Sequence, residues 1–554
     1  MCKRSVEDKL DTQILHVHLK ICLFEVHLSI DFAHMDIFVQ RIRCGSIVRG
    51  SDGAQELLGQ AKSIDFGARP QGEKSSTYVR YKIESNPAPP RRKQPYPFYP
   101  RVGKMGLAGL LLREVFEYGF KLRRKEYRAA LMTRPCIYGV FGSRFGGFHP
   151  IREKCTGCMR CVQEYPNFCK VDRNPEFYKF ADSYWIPEDP ATASGSPVAT
   201  VSYEAETGKI PIKGMGYKGA FAGPGWDSMW TDMSEIVRPT RDGVYGREYI
   251  STLVDVGRKQ RFLDFFNRKP SQSTSLVEIS LPIIFDYLPQ NLNGQSILQS
   301  IAGAAARTGT RFIATPSQAQ QFSRAQRQQL IPMISPASIN EDHDSIFAAQ
   351  AIELTKYESE ALAGIREINP RAPVSVRVPL SNDAPETALE LVQAGVDIIH
   401  LHADYHGRGW DKDNPIFVSD LVRSVHGKLV KESLRDDVTL IVSGGITLAE
   451  HVPKAIICGA DLVAIDTTVL VALQAQFLGE CKSPETGHMA QEKFDARWGE
   501  QRLTNLLASW HDQLIEILSA MGMRDVRRLR GDVGRAMFNE DLEKEAFADI
   551  EHAT

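Results

Sequence analysis

The chain has 554 residues, of which 43% are apolar and 24% charged, the make-up of a folded globular protein rather than a disordered or fibrous one. A formal net charge of −1 excludes a general nucleic-acid binder, because no surplus of cations is available to displace the counterions condensed on phosphates. No stretch supplies the ~20 uninterrupted apolar residues that span a bilayer. The nearest, 14–32, is broken by His16, His18, Lys20, Glu25, His27 and Asp31, so a cytoplasmic protein without a transmembrane segment is expected.

Residues 1–84 mix apolar and polar positions without a sustained period and carry no motif. They read either as a small accessory domain or as an upstream extension with the working start near Met105. Residues 85–104 form a proline-rich linker, since NPAPPRRKQPYPFYP can continue neither a helix nor a central strand. From 105 to 132, apolar residues every three to four positions predict a helix. Its first part, 105–118, is amphipathic and followed by Lys121, Arg123, Arg124 and Lys125, which suits a buried helix or, alternatively, a membrane surface.

The densest chemical signal comes next, CTGCMRCVQEYPNFC at 155–169. Of ten cysteines in the chain, four lie in this run: Cys155, Cys158 and Cys161 at two-residue gaps, and Cys169 beyond them. Thiolates in C-x-x-C-x-x-C can converge on one side of a tight loop, as an iron–sulfur cluster requires. The ferredoxin pattern continues with three residues, a fourth Cys and Pro. Here Tyr165 stands before Pro166, so the fourth ligand is either Cys169 or absent. A four-iron cluster is favoured over a three-iron one, and a zinc knot or plain buried thiols stay open. Residues 105–222 are taken together as this iron–sulfur module, with irregular structure and a hairpin near 200–212 at its end.

The lead-in at 223–274 contains TDMSEIVRPTRDGVYGREYIST, which resembles the approach to the FMN-binding domain of glutamate-synthase-related proteins. A repeated strand–helix rhythm follows from 275 to 475. Apolar, β-rich runs occur at 277–285, 311–315, 330–334, 351–355, 374–378, 396–401, 438–442 and 462–465, with helical patterns at 296–307, 384–394 and 448–458. Eight alternating units predict a parallel sheet closed as a (β/α)8 barrel of the TIM type, with an open doubly wound sheet as the alternative. No G-x-G-x-x-G follows the first strand, so a Rossmann dinucleotide site is not supported. A C-terminal helical tail, 476–554, contains an amphipathic helix at 498–521.

Barrel sites lie at the carboxyl ends of the strands, with phosphate held by the last two turns. There Ser443, Gly444 and Gly445 end the seventh strand, and Asp466, Thr467 and Thr468 end the eighth and open a helix. Glycines allow close approach to an anion, and helix N–H groups favour phosphate. Lys356 ends the fourth strand and can hold a substrate carboxylate. On the sixth, His400 and His402 face one side, with Asp404 just beyond, a spacing that suits a divalent metal, a proton donor or a substrate contact.

The resemblance implies FMN at the glycine turn, and implies that Arg377 takes the place of the family's Lys in an SVKL motif, stabilising negative charge on the flavin. It also marks departures. Asp466 stands where relatives have Gly, and a carboxylate there repels phosphate unless it points away or pairs with a cation. The first two strands end in IIFDYLP and FIATPSQ rather than GAMSYG- and TGEGGE-like motifs, the loop after the fourth strand is short, and the family's later cysteines are reduced to Cys481. No glutamine amidotransferase domain is recognisable.

These readings predict an FMN- and iron–sulfur-dependent oxidoreductase of the glutamate synthase type, nominally forming glutamate from 2-oxoglutarate and ammonia. Its catalytic candidates are Arg377, Lys356, His402 and Asp404; its expected partners are a small substrate and an electron donor such as ferredoxin or a reductase subunit, with homo- or hetero-oligomers compatible. A metal-dependent barrel enzyme using His400, His402 and Asp404, or a non-catalytic electron-transfer subunit, are the alternatives.

Overall fold

In the computed structural model the described residues are, with short gaps, 83–102, 136–177, 197–210, 225–231, 249–259, 276–475 and 493–538, together with strands between 14 and 41 and two short strands at 477–478 and 488–489. The helix expected at 105–132, the arginines of the lead-in motif, Tyr165 and Cys481 lie outside them. The chain divides into two compact units, 1–80 and 81–554.

The first unit contains β1 (Ile14–Ile21), β2 (Phe24–Asp31) and β3 (Asp36–Arg41), antiparallel in that order, with Val17 opposite Leu28 and Leu28 opposite Val39. The period that sequence reading missed is two: positions 15, 17, 19 and 21, then 24, 26, 28 and 30, are apolar.

In the second unit, β4 (Phe98–Val102) pairs antiparallel with β5 (Cys169–Arg173), β6 (Met229–Thr231) precedes the barrel, and β7 (Val254–Val256) pairs antiparallel with β8 (Val277–Ile279). The predicted strand 277–285 is therefore two strands, broken after Ile279. The barrel begins with the second piece, β9 (Ile283–Phe285). It continues through β10 (Phe312–Ala314), β11 (Leu330–Ile334), β12 (Ile352–Leu354), β13 (Val374–Pro379), β14 (Ile398–His402), β15 (Thr439–Ser443) and β16 (Leu462–Ile465), which closes back onto β9. All eight junctions are parallel. Such strands are covered on both faces, which is why they read as almost unbroken apolar runs. The exceptions within them, Glu353, Ser375, Arg377 and His400, lie on neighbouring strands, with Glu353 opposite Ser375 and Arg377 opposite His400.

The expected hairpin near 200–212 is instead the helix Pro197–Thr207. It packs on the long helix Ala496–Ala520, which also covers Gln295–Thr308. Polar groups fix this layer. Glu204, fully buried, accepts hydrogen bonds from Trp510 Nε1 at 2.9 Å and Gln513 Nε2 at 2.6 Å. Arg502 donates to the carbonyls of Ala472 at 2.6 Å and Ala88 at 2.7 Å, tying the segment before β4 to the barrel's last helix. Substituting Glu204 with Ala should cost about 2–3 kcal/mol, because the Trp510 indole N–H stays buried without a partner. A drop in thermal midpoint of several degrees by calorimetry checks this; an unchanged midpoint contradicts it.

Candidate functional site

Six polar side chains meet inside the barrel. Arg377 donates from Nη1 to Asp286 Oδ1 at 2.7 Å and Glu353 Oε1 at 3.2 Å, and from Nη2 to Asp286 Oδ2 at 3.0 Å. The other Glu353 oxygen meets His400 Nδ1 at 2.8 Å, and His400 Nε2 lies 3.1 Å from Ser443 Oγ. Ser375 donates to Glu353 at 3.3 Å. Asp286 follows β9, and the rest come from β12, β13, β14 and β15, so the network spans the lumen.

The charges hold one another. Burial opposes ionisation of Asp286, but Arg377 and then His400 keep its carboxyl well below the usual carboxylate range. Burial likewise opposes Glu353, and His400 followed by Arg377 outweighs it. Burial also works against the Arg377 guanidinium, yet Asp286 and Glu353 raise it above its ordinary value. His402, at the end of β14, has no carboxylate partner of this kind. Burial, then the neighbouring Arg377, pushes its imidazole down to about 3, so it stands neutral at the mouth. Trp410 covers it edge-on at 5.6 Å and donates to its carbonyl at 2.9 Å.

Two predicted catalytic residues are placed elsewhere. Lys356 is 77% exposed and pairs with Glu358 at 3.7 Å, outside the lumen cluster. Asp404 accepts the backbone N–H groups of His406 at 2.9 Å and Arg408 at 2.7 Å, so its carboxylate shapes the loop after β14. With His400 bound to Glu353 and Ser443, the set His400, His402 and Asp404 does not converge. Among the described residues, no three His, Cys, Asp or Glu side chains are gathered to hold a single metal ion.

At the turn after β15, Gly444 and Gly445 adopt φ of 93° and 70°. A Cβ on Gly445 would lie 2.6 Å from the Gly407 Cα, so the loop after β14 packs directly on this turn. From the other side Trp226 donates to the Gly445 carbonyl at 3.1 Å, stacks on His451 at 5.7 Å, and receives Lys454 Nζ on its own carbonyl at 2.7 Å. Thr468 Oγ1 donates to the Ile446 carbonyl at 2.9 Å, and Ser443 is engaged with His400. Thr467 Oγ1, by contrast, is buried with no hydrogen-bond partner, at the first turn of the helix Thr467–Ala472. An orphaned hydroxyl there fits an acceptor such as a phosphoryl oxygen.

Asp466 caps that helix, accepting the Thr467 N–H. It neither points into solvent nor pairs with a cation. Burial, then nearby Asp286, pushes its carboxyl up to about 7, so near neutrality much of it is protonated and uncharged. This removes much of the repulsion that its presence beside a phosphate site implies.

The second cluster of chemistry is a recess lined by Cys136, Cys155, Cys158 and Cys161 together with Pro100, Tyr138, Val140, Phe141 and Val171. The loop that carries it turns on two left-handed residues, Gly157 at φ 71° and Met159 at φ 56°. Glycine is needed at 157, because any Cβ would strike the Phe98 ring. Burial pushes the Cys155 thiol up to about 12 and also raises Cys136. Cys169 is fully buried in β5 and is not part of the recess wall; its sulfur is hydrogen-bonded to that of Cys161. That bond, and then burial, raises Cys161, while the same bond lowers Cys169.

Sequence reading missed Asp286, Glu353, Trp226 and Cys136. The first two carried a signal, as acids bordering or inside an apolar strand; the others sit alone in the sequence and gain meaning through contacts.

Residues 337–524 match the family described as the conserved region in glutamate synthase. The chain is 24% identical over 445 residues to an archaeal-type glutamate synthase [NADPH] of Dehalococcoides mccartyi, covering 69% of this chain and 86% of the relative. It is 25% identical over 485 residues to an archaeal glutamate synthase [NADPH] of Archaeoglobus fulgidus, covering 74% and 93%. A Thermotoga maritima relative of the archaeal type is 22% identical over 486 residues, with the same coverage of 74% and 93%.

Two outcomes are expected. Arg377→Met strips buried Asp286 of its bidentate partner and leaves Glu353 with His400 and Ser375 alone, and should destabilise the protein by about 3–5 kcal/mol in denaturant unfolding, whereas a loss below 1 kcal/mol contradicts the network. For Asp466, folding raises the pKa from 3.8 to about 7, so its stabilising contribution is full below the lower value and is lost as pH climbs through the higher. Asp466→Asn keeps the cap and removes the titration, so its thermal midpoint should overtake that of the unsubstituted protein between about pH 5 and pH 8, a relative gain of a few kcal/mol. Parallel profiles contradict the shift.

Proposed function

We propose that the chain is a member of the glutamate-synthase-related family and an FMN- and iron–sulfur-dependent oxidoreductase that reduces a small substrate at the barrel mouth. The nominal reaction is reductive amination of 2-oxoglutarate to glutamate. The observation that carries this reading is the pairing, at one end of the barrel, of a buried guanidinium with a neutral imidazole beside a glycine turn and an orphaned hydroxyl.

FMN would be held by Ser443, Gly444, Gly445, Asp466, Thr467 and Thr468, with its phosphate toward Thr467 Oγ1. When bound, it supplies hydride transfer and joins one-electron to two-electron chemistry. The chain's own residues do the rest. A guanidinium carries five N–H donors; three are engaged with Asp286 and Glu353, leaving two for the mouth. With its charge balanced by those acids, Arg377 acts as a fixed donor that orients an oxygen-bearing substrate rather than as a free cation. His402 is too weak a base to be charged near pH 7, so it can donate a hydrogen bond to a substrate oxygen without adding charge. Trp410 and the loop after β14 shield that imidazole from water. The thiol recess is the entry point for electrons from a donor such as ferredoxin or a reductase subunit.

Anaerobically purified protein should show flavin bands near about 375 and 450 nm over a broad cluster shoulder. A cluster without flavin would favour an electron-transfer subunit, and absence of both after reconstitution sinks the proposal. With a reduced low-potential dye as donor, His402→Phe should lower turnover of 2-oxoglutarate plus ammonium roughly 100-fold while flavin content stays constant. Unchanged turnover removes His402 from the mechanism.

A further inference from the structure

We propose that Cys136, and not Cys169, is the fourth thiolate of the iron–sulfur site, so that the cluster is held by Cys136, Cys155, Cys158 and Cys161. This rests on reading the recess as a cluster site.

The first ground is position. Those four sulfur-bearing residues line the recess, and Cys169 does not. The second is mutual reach. The Cys155 thiol lies within electrostatic range of Cys161, Cys136 and Cys158, and the Cys136 thiol within range of Cys158 and Cys161. The Cys169 thiol is in range of Cys161 and Cys136 from outside the recess wall.

The third ground is the nature of the space. A tetrahedral zinc with Zn–S bonds of about 2.3 Å draws its sulfurs to within ~4 Å of one another. Four thiols spread around the wall of one recess suit an inorganic core larger than a single ion. The wall is otherwise mostly apolar, from Pro100, Val140, Phe141 and Val171. Tyr138 also lines it, and its hydroxyl is buried with no hydrogen-bond partner. A cluster sulfur would accept that O–H. Arg160 in the same wall offsets part of the cluster's negative charge.

Cys169 has a different task. It pairs with Val102 in the β4–β5 ladder, which fixes its backbone, and its free thiol neighbours that of Cys161. It therefore serves as a hydrogen-bonding neighbour of a ligand sulfur, a contact that tunes reduction potential. Loading the site releases one proton to solvent from each of the four ligand thiols.

The test uses the full chain, reconstituted anaerobically with ferrous iron and sulfide, as the unsubstituted protein and as Cys136→Ser, Cys136→Ala and Cys169→Ala. The unsubstituted protein and Cys169→Ala should each bind about four iron and four sulfide per chain. Cys169→Ala should retain the cluster's electron paramagnetic signal with a lower reduction potential. Both Cys136 variants should lose at least one iron per chain, while circular dichroism shows the fold retained. Full iron in the Cys136 variants, with loss in Cys169→Ala, overturns the assignment while leaving the cluster reading intact. Absence of iron from the unsubstituted protein overturns both.

Discussion

The bidentate contact between Arg377 and Asp286 is the interaction on which the barrel's working end depends. β9 and β13 stand four places apart in a ring of eight, so the pair bridges opposite walls of the lumen. Glu353 joins it from β12 and brings His400 and Ser443 into the same assembly. Replacing all of these by apolar groups of equal volume need not lower stability, since buried ion pairs repay their desolvation only partly. What the charges supply is direction. They fix where a guanidinium can donate, and they add to burial in keeping His402 neutral and in raising Asp466.

The two chemical centres obey one rule by different means. In the barrel lumen Arg377, Asp286 and Glu353 are matched by one another, and at the turn after the last strand the Thr467 hydroxyl is left over. In the thiol recess, burial keeps Cys155 and Cys136 protonated, and a tyrosine hydroxyl is left over. In both places an unsatisfied polar atom stands beside otherwise matched surroundings, and such atoms in a folded protein call for an explanation. A bound group is the simplest one.

Much of the barrel was legible because parallel strands covered on both faces have a composition that little else shares. The strands at 330–334 and 462–465 match their predicted limits. The break between β8 and β9 was not legible, because SLP at 280–282 interrupts the pairing without interrupting hydrophobicity. The helix Pro197–Thr207 was hidden by its β-branched residues and by the glycine and proline around it; packing against Ala496–Ala520 overrides that local preference. Cys155, Cys158 and Cys161, which spacing singles out, line one recess, and Cys136, which belongs to no spacing pattern, is brought to the same wall by folding alone. Lys356, a cation at a strand end, lies exposed beside Glu358, an environment its position in the sequence does not disclose.

The contact between the two mouth loops has a consequence for how this lineage can change. Gly445 meets the backbone of Gly407 with no side chain between them, and Gly444 meets the carbonyls of Ala403 and Asp404 in the same way. Neither loop can gain a residue at that contact unless the other yields, so insertions and deletions there must arise in matched pairs. Variation is channelled instead into the exposed positions Lys412 and Asp413. Descendants of this protein should thus diversify what lies over His402 long before they alter the turn beneath it.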